Sequence, residues 1–299
     1  MNDKLKDPRK QYYTEGFSEE NEKIAKSPAL QQDMMPVPDC GEESYQGDQR
    51  LTGRRALITG GDSGIGRAVA IAYAREGADV AFQYLPGEEA DAEAVQQLIE
   101  AEGRKAVAIA GDLRELGVAS RLVNETVEAL GGLDLLVLNA AQQFATETLA
   151  DLTMKQVNDT FQVNIISMYE ALKAAESHLE AGSAVITTTS VQATDPSPSL
   201  LDYAATKGAI SNFTVGIAKY FAKKGVRVNG VAPGPIWTPL QLDDGKLPGD
   251  LETFGQEELL ERAGQPVELA PVYVFLASKE ASYVTGQIYG VTGGSETDL

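Results

Sequence analysis

The feature that most constrains the fold is the regular alternation of short aliphatic runs with amphipathic helical stretches from Arg54 onward. Runs such as ALIT, DVAFQY and AVAIA are each followed by a segment in which apolar residues recur at helical spacing. Parallel strands need a long crossover connection, so strands that alternate with helices indicate a parallel sheet. The order βαβαβ followed by βαβαβ predicts an α/β fold with one doubly wound sheet and helices on both faces.

Residues 1–50 have a different character. They are polar, rich in Pro, Asp, Glu and Gln, and show no sustained apolar period, which predicts an extended N-terminal arm. Some apolar side chains could anchor this arm to a neighbouring surface, although a disordered leader agrees equally with the composition. These candidate anchors are Tyr12, Tyr13, Phe17, Met34, Met35 and Tyr45. The predicted division is therefore an arm over 1–50 and one folded domain over 51–299.

Charge and composition exclude several classes of partner. The chain has 25 Lys and Arg against 44 Asp and Glu, a net charge of −19, which disfavours binding to nucleic acid or to an anionic membrane. No apolar run approaches the length of a transmembrane helix, and the N-terminus lacks the plan of a secretory signal, so we expect a cytoplasmic protein. The single cysteine, Cys40, and single histidine, His178, give no basis for a disulfide or a metal site.

A glycine-rich turn follows the first strand, in the segment TGGDSGIG at 59–66. Gly60 and Gly64 permit a tight turn and close backbone approach, and Gly66 permits close helix packing. The N–H groups that begin the following helix attract pyrophosphate oxygens. The turn therefore predicts a dinucleotide site, which also includes Asp62, Ser63 and Ile65.

The end of the second strand bears on the choice of dinucleotide. An NAD site usually offers an acidic side chain there to the ribose 2′-hydroxyl, whereas this chain has Gln83, Tyr84 and Leu85. The absence of an acid favours NADP(H) mildly over NAD(H), with Arg67 or Ser63 as contacts for the 2′-phosphate. Asp62 and the acidic segment 88–93 favour the opposite choice, so dual specificity is an open alternative.

Two further positions lie at the expected ligand edge of the sheet. Asp112, after the third strand, could accept a hydrogen bond from an adenine amino group, or could simply cap the next helix. Asn139, Ala140 and Ala141 end the fourth strand beside the same crevice, where they could line a cofactor or merely terminate the strand.

Three tyrosines, Tyr169, Tyr203 and Tyr220, lie four residues before a lysine, a spacing that brings both side chains to one face of a helix. The spacing alone does not choose among them. Only Tyr203 begins its helix shortly after a strand, SAVITTTS, whose final Ser190 would emerge at the ligand edge of the sheet. Position therefore selects Tyr203, with Lys207 as its partner.

The residue types at these positions point to proton transfer. A free phenol has a pKa of about 10, so a nearby Lys207 ammonium would make Tyr203 usable by favouring the phenolate. Ser190 could donate a hydrogen bond to a substrate oxygen. Asn164 could order a water next to Lys207, or could satisfy neighbouring backbone groups. The predicted catalytic set is Asn164, Ser190, Tyr203 and Lys207.

The segment 236–262 predicts a mobile lid over the substrate. It contains Trp237 and several leucines among acids and glycines. Its apolar content predicts a small uncharged carbonyl or alcohol substrate.

These motifs together resemble the short-chain dehydrogenase/reductase family over nearly all of 51–294. The resemblance rests on the TGGDSGIG turn, the Asn139-Ala140 pair, the four catalytic candidates and the segment PGPIWT at 233–238. The resemblance implies a single Rossmann-like domain, nicotinamide contacts from Pro233 to Thr238, and a homotetramer formed through the long helices. KDPRKQYY, PVPDCGEESYQG and SLLDYAATKGAI further resemble a long-armed subgroup that includes NADP-dependent aldehyde reductases.

The expected function is hydride exchange between NADP(H) or NAD(H) and an aldehyde or ketone. The alternatives are a sugar or polyol dehydrogenase, a 3-oxoacyl carrier-protein reductase and a nucleotide-sensing regulator without turnover. The predicted cofactor contacts are Gly60, Asp62, Ser63, Gly64, Ile65, Gly66, Tyr84, Leu85, Asp112, Leu113, Asn139, Ala140, Ala141, Tyr203, Lys207, Pro233, Gly234, Ile236 and Thr238.

Overall fold

The computed structural model describes residues 6–13, 16–17, 21, 28–243, 245–247 and 249–295. Within these residues, seven strands form one sheet. They are β1 (Arg55–Ile58), β2 (Asp79–Tyr84), β3 (Ala106–Ala110), β4 (Leu135–Leu138), β5 (Ala184–Thr188), β6 (Arg227–Pro233) and β7 (Ile288–Val291). All neighbouring strands are parallel, in the order β3-β2-β1-β4-β5-β6-β7.

Helices connect the strands and cover both faces of the sheet. They are α1 (Gly64–Arg75), α2 (Glu89–Ala101), α3 (Val118–Leu130), α4 (Met154–Phe161), α5 (Ser167–Ala175), α6 (Leu201–Phe221) and α7 (Pro266–Ala277). A π-helical turn, Gln162–Ile166, joins α4 to α5. Among the described residues, no helix combines the length and apolar character needed to cross a membrane.

The side chains of each strand divide between two cores, because successive residues of a strand point to opposite faces. In β1, Ala56 and Ile58 belong to the core beneath α1, α2 and α7, whereas Leu57 belongs to the core beneath α3, α5 and α6. Both cores consist mainly of aliphatic side chains, with a few aromatic ones. The predicted doubly wound sheet with helices on both faces is thus confirmed.

The end of the chain was not predicted correctly. Helix α7 and strand β7 follow β6, whereas the sequence pattern indicated only six strands. Helix α7 is buried on most of its surface and contains Pro271, so it lacks the polar stripe that marks an amphipathic helix. The helix expected near 114 begins at Val118, since Gly117 with φ +88° separates it from the preceding turn.

The order of the strands reverses between β1 and β4. Chain connections leave these two neighbours in opposite directions, so a crevice opens at their carboxyl ends. The turn after β1 and the segment after β4 form its walls.

The N-terminal arm packs against the folded domain at several points. Phe17 stacks on Trp237 with ring centroids 3.7 Å apart, and the Trp237 indole N–H donates to the Pro36 carbonyl at 2.7 Å. Phe17 and Met34 are buried, whereas Tyr13 and Met35 remain exposed. Only some of the predicted anchors therefore contact a neighbouring surface.

Glu76 fixes the last part of the arm to the end of α1. Its carboxylate is fully buried and accepts hydrogen bonds from Arg50, from the Tyr45 hydroxyl and from the backbone N–H groups of Asp48 and Arg50. Burial alone would raise the pKa of Glu76, but the hydrogen bonds from Arg50 and Tyr45 outweigh it and lower the pKa to about 2. The group is therefore ionised at neutral pH and binds Arg50 as a charged partner.

We expect Glu76→Ala to lower the free energy of unfolding by about 3 kcal/mol, because it leaves the Arg50 charge and two backbone N–H groups without their acceptor. The urea midpoint of unfolding measures this change. Glu125→Ala is the control, since Glu125 pairs with Arg121 on the exposed face of α3 and should cost less than about 1 kcal/mol. Equal losses in both variants would contradict the importance of the Glu76 cluster.

Candidate active site

One large cavity occupies the crevice at the carboxyl ends of the strands. Its volume is about 660 Å³, within the range of small-molecule and cofactor sites. The turn after β1, the segments after β4 and β5, the start of α6 and the segment 233–258 all contribute to its wall.

The glycine turn after β1 has the shape that a pyrophosphate site requires. A side chain on Gly60 would lie 3.1 Å from the Ala140 Cα atom, and one on Gly66 would lie 1.7 Å from the Gly60 carbonyl oxygen. Gly64 has φ +50°, in the left-handed region that favours glycine. The N–H groups of Ile65 and Gly66 belong to the first turn of α1, where no acceptor exists within the helix. Such groups suit the anionic oxygens of a dinucleotide.

Side chains fix this turn to the neighbouring strands. The Thr59 hydroxyl accepts hydrogen bonds from the N–H groups of Asn139 at 2.9 Å and Ala140 at 3.1 Å. The Asn139 amide donates to the carbonyls of Thr59 and Gly60. Gln83 accepts from the Gly60 N–H at 2.8 Å, so its side chain supports the turn from β2.

Tyr203, Ser190 and Lys207 meet at the opposite wall of the cavity. Ser190 follows β5 and interacts with Tyr203, which lies in the first turn of α6. The Lys207 ammonium lies 5.2 Å from the centroid of the Tyr203 ring and donates to the Thr188 carbonyl at 2.9 Å. Tyr203 is only 6% exposed, whereas Tyr169 and Tyr220 are 51% and 59% exposed.

Burial governs the ionisation of this pair. It raises the pKa of Tyr203 to about 12, although the interaction with Ser190 lowers it. Burial also lowers the pKa of Lys207 to about 7. The expected lowering of the Tyr203 pKa by Lys207 is not found here, because desolvation disfavours the charged form of both groups.

Asn164 lies in the π-helical turn and bridges two segments of the site. Its oxygen accepts from the Gln142 N–H at 2.7 Å, and its amide donates to the Gln142 carbonyl at 3.0 Å and the Thr206 hydroxyl at 2.9 Å. The Thr206 hydroxyl donates in turn to the Tyr203 carbonyl. Asn164 therefore satisfies neighbouring backbone groups, as one sequence-based alternative held, and connects the segment after β4 to α6.

Asp112 lines the cavity and pairs with Arg114. Both carboxylate oxygens accept from the Arg114 guanidinium, and the Arg114 N–H donates to one of them. This pairing lowers the pKa of Asp112. Since α3 begins only at Val118, Asp112 does not cap that helix.

Two carboxyl groups lie beside the nucleotide turn. Asp62 and Glu88 line the cavity and interact with each other electrostatically. Burial raises the pKa of Asp62 well above its usual value and raises that of Glu88 to about 7. Asp62 Oδ2 is buried and has no hydrogen-bond partner among the described residues, so it can accept a hydrogen bond from a ligand hydroxyl. Arg67, the expected phosphate contact, instead forms an ion pair with Glu42.

The segment 236–262 differs from expectation. Trp237 is fully buried, and Leu242 and Leu251 join it in a cluster with Phe17 and Met34 of the arm. These apolar side chains anchor the arm instead of facing a substrate. The same segment also supplies polar groups to the cavity, among them Lys246, whose pKa is lowered by burial. The segment therefore contributes both polar and apolar side chains to the cavity, the latter including Leu240 and Phe254.

Most of the predicted site residues line the cavity. The exceptions are Gly66, which packs against Gly60, Tyr84, which packs against the core beneath α1, and Asn164, which lies behind Gln142. The participants that sequence reasoning missed include Thr188, whose carbonyl binds Lys207, and also Lys246 and Ala29 of the arm. Their sequence surroundings carry no motif; the threonine run TTTS, which contains Thr188, is the only local signal.

A doubly wound sheet with a dinucleotide turn and a tyrosine–lysine pair in one cavity defines a nicotinamide-dependent oxidoreductase. A family model described as enoyl-(acyl carrier protein) reductase matches residues 60–296. The uncharacterized oxidoreductase YhxD of Bacillus subtilis is 57% identical over 98% of both chains. The chain belongs to the short-chain dehydrogenase/reductase family and is an NAD(P)-dependent oxidoreductase.

Other relatives have more specific names. NADPH-dependent aldehyde reductase 1 of Arabidopsis thaliana is 43% identical, covering 93% of this chain and 99% of the relative. Glucose and ribitol dehydrogenase homolog 2 of the same organism is 44% identical, covering 89% and 94%. A short chain dehydrogenase from Burkholderia cenocepacia, solved in complex with NADP, superposes with a TM-score of 0.77 at 34% identity and covers 82% of this chain and 98% of its own.

Proposed function

We propose that the protein reduces aldehydes with NADPH. The observation that carries the proposal is the buried pair Ser190 and Tyr203, which lines the same cavity as the nucleotide turn. The Arabidopsis aldehyde reductase, similar over almost its whole length, supports the substrate class.

Each residue has a distinct part in the reaction. When bound, the nicotinamide supplies a hydride to the carbonyl carbon. Tyr203 donates its phenolic proton to the carbonyl oxygen, and Ser190 donates a hydrogen bond to that oxygen. Lys207, held by the Thr188 carbonyl, positions the nicotinamide ribose and stabilises the phenolate that remains. A Tyr203 pKa of about 12 supports reduction, because the phenol carries its proton at neutral pH.

The protein discriminates weakly between the two dinucleotides. The named aldehyde reductase and the superposed structure support use of NADP(H), and no acid ends β2. However, Asp62 and Glu88 line the adenosine side of the cavity, and the Arg67 guanidinium is paired with Glu42. A 2′-phosphate thus meets more negative than positive charge when both carboxyls are ionised.

Oxidation or reduction of a sugar or polyol is the second candidate. Several polar side chains line the cavity close to Ser190, among them Gln143, Gln192 and Asp195, and could bind hydroxyl groups. The similarity to the named glucose and ribitol dehydrogenase homolog supports this alternative. Activity on alcohols of this kind, without activity on simple aldehydes, would select it.

Tyr203→Phe should lower kcat by about 10²-fold or more, because it removes the transferable proton and leaves the cavity wall in place. The measurement is NADPH oxidation at saturating aldehyde, across a panel that also contains sugars and polyols with NADP⁺. Tyr169→Phe is the matched control, since Tyr169 has the same lysine spacing but lies exposed on α5. Wild-type rates in the Tyr203 variant would refute its assignment as proton donor.

Raising the pH from about 6.5 to about 8.5 should weaken NADPH binding more than NADH binding. Glu88, with a pKa of about 7, is neutral at the lower pH and ionised at the higher, where it repels the 2′-phosphate. Fluorescence titration of each dinucleotide gives the two dissociation constants. The 2′-phosphate also gains charge over this range, so the pH dependence of the wild-type protein contains contributions from both the phosphate and Glu88. The Glu88→Gln variant retains only the contribution of the phosphate. An unchanged pH dependence in that variant would contradict the role of Glu88.

The protein forms a homotetramer through its long helices. Exposed apolar side chains on and beside α4, α5 and α6 support this assembly, because such surface is rarely left to solvent. They are Met154, Ile166, Tyr169, Leu201 and Tyr220. Light scattering should give a mass of about four chains, and a monomeric mass at micromolar concentration would contradict the assembly.

A further inference from the structure

The N-terminal arm reaches the nucleotide turn. Ala29 lines the cavity, and Gln31, two residues later, is buried against the first residue of α1. The side-chain oxygen of Gln31 accepts a hydrogen bond from the Gly64 N–H at 2.8 Å. An arm residue thus satisfies an N–H group at the start of the phosphate-binding helix.

Cys40 binds the other polar group of the same glycine. Its thiol lies 3.4 Å from both the Gly64 carbonyl oxygen and Gln31 Oε1, either of which can accept its proton, and the Gln31 amide donates to the Cys40 sulfur at 3.2 Å. Both backbone polar groups of Gly64 are therefore held by one pair of arm side chains. The hydrogen bonds recorded for this pair engage Gly64 and not the first-turn N–H groups of Ile65 and Gly66.

Gln31 is itself fixed by contacts with the loop and helix that follow β2. Its backbone N–H donates to Asp91 Oδ2 at 2.7 Å, and Asp91 is buried in α2. Pro28 lies against Gly87, where an added side chain would come within 3.2 Å of the proline ring. The arm consequently joins the turn after β1 to the loop after β2, the two segments that flank the adenosine side of the cavity.

The conformation of Gly64 gives these contacts a consequence for binding. A glycine with φ +50° has many alternatives of similar energy, so the turn needs external partners to keep one conformation. Groups that hold the N–H and the carbonyl restrict both peptide planes. A turn fixed before the ligand arrives loses less entropy on binding.

We propose that Gln31 and Cys40 are positioning residues of the nucleotide site, which hold Gly64 so that the first turn of α1 presents its N–H groups to the pyrophosphate. This inference rests on the proposed use of a dinucleotide. On this proposal, the N-terminal arm increases the affinity of the protein for its dinucleotide.

The test is Gln31→Met in the full chain, which keeps the length of the side chain and removes the acceptor. Titration of NADPH fluorescence and calorimetry with ADP, which has the pyrophosphate without the nicotinamide, give dissociation constants. We expect both to rise about tenfold, which corresponds to about 1.4 kcal/mol. In steady-state kinetics, we expect the KM for NADPH to rise and kcat to stay unchanged. Unchanged constants for Gln31→Met would overturn the inference, whereas failure of the wild-type protein to bind any dinucleotide would overturn the proposed function instead.

Asn21→Ala is the matched control. Asn21 is equally buried in the arm and binds the backbone of Met35 at 2.6 Å and 2.8 Å. It should leave the ADP constant within about twofold. An equal loss in this variant would show a general effect of arm packing and overturn the specific role of Gln31.

Substitutions of Cys40 provide a second test, which can be used if the Gln31→Met variant does not fold. Cys40→Ala removes the donor to the Gly64 carbonyl and should weaken ADP binding, and Cys40→Ser keeps a donor and should restore it. Equal ADP constants in the two Cys40 variants would contradict the proposal.

Discussion

The hydrogen bonds that tie the ends of β1, β4 and β5 together are the interaction on which the site depends. The Thr59 hydroxyl holds the backbone after β4, and the Asn139 amide holds the carbonyls of the nucleotide turn. The Asn139 oxygen accepts from the Thr188 hydroxyl at 3.1 Å, and the Thr188 carbonyl binds Lys207. A continuous network thus runs from the nucleotide turn to the proton-transfer group. The parallel sheet makes it possible, because all three strands end at the same edge.

Burial determines the ionisation of this site more than pairing does. Tyr203 and Lys207 both shift toward their neutral forms, and Asp62 and Glu88 do the same. These four groups therefore carry little charge at neutral pH, whereas Asp112 and Arg114 in the same cavity wall form an ion pair. The interaction with Ser190 lowers the pKa of Tyr203. The sequence predicts this effect for Lys207 instead, because of its spacing from Tyr203.

The sequence predicted those features that repeat or that occupy a fixed place in a repeat. Six strands, the glycine turn and the choice of Tyr203 all followed from alternation and from the position of each motif at the end of a strand. The exposure of Tyr169 and Tyr220 agrees with that choice. Helix α7 escaped prediction because burial on most of its surface removes the amphipathic signal. The ion pair of Arg67 with Glu42 also escaped, because its two members are distant in sequence and no local pattern records their contact.

The arm shows most clearly why composition is a poor guide to function. Its polar character indicated an accessory segment, yet a few buried residues give it two separate contacts with the site. Phe17 stacks on Trp237 and so holds the segment 236–262, while Gln31 holds Gly64 in the nucleotide turn. Leu242 and Leu251 of that segment belong to the cluster that includes Phe17, so their apolar character reflects the packing of the arm, whereas Leu240 lines the cavity. A segment of low apolar content can therefore organise both ends of a cavity, provided that its few buried side chains contact the residues that form the walls.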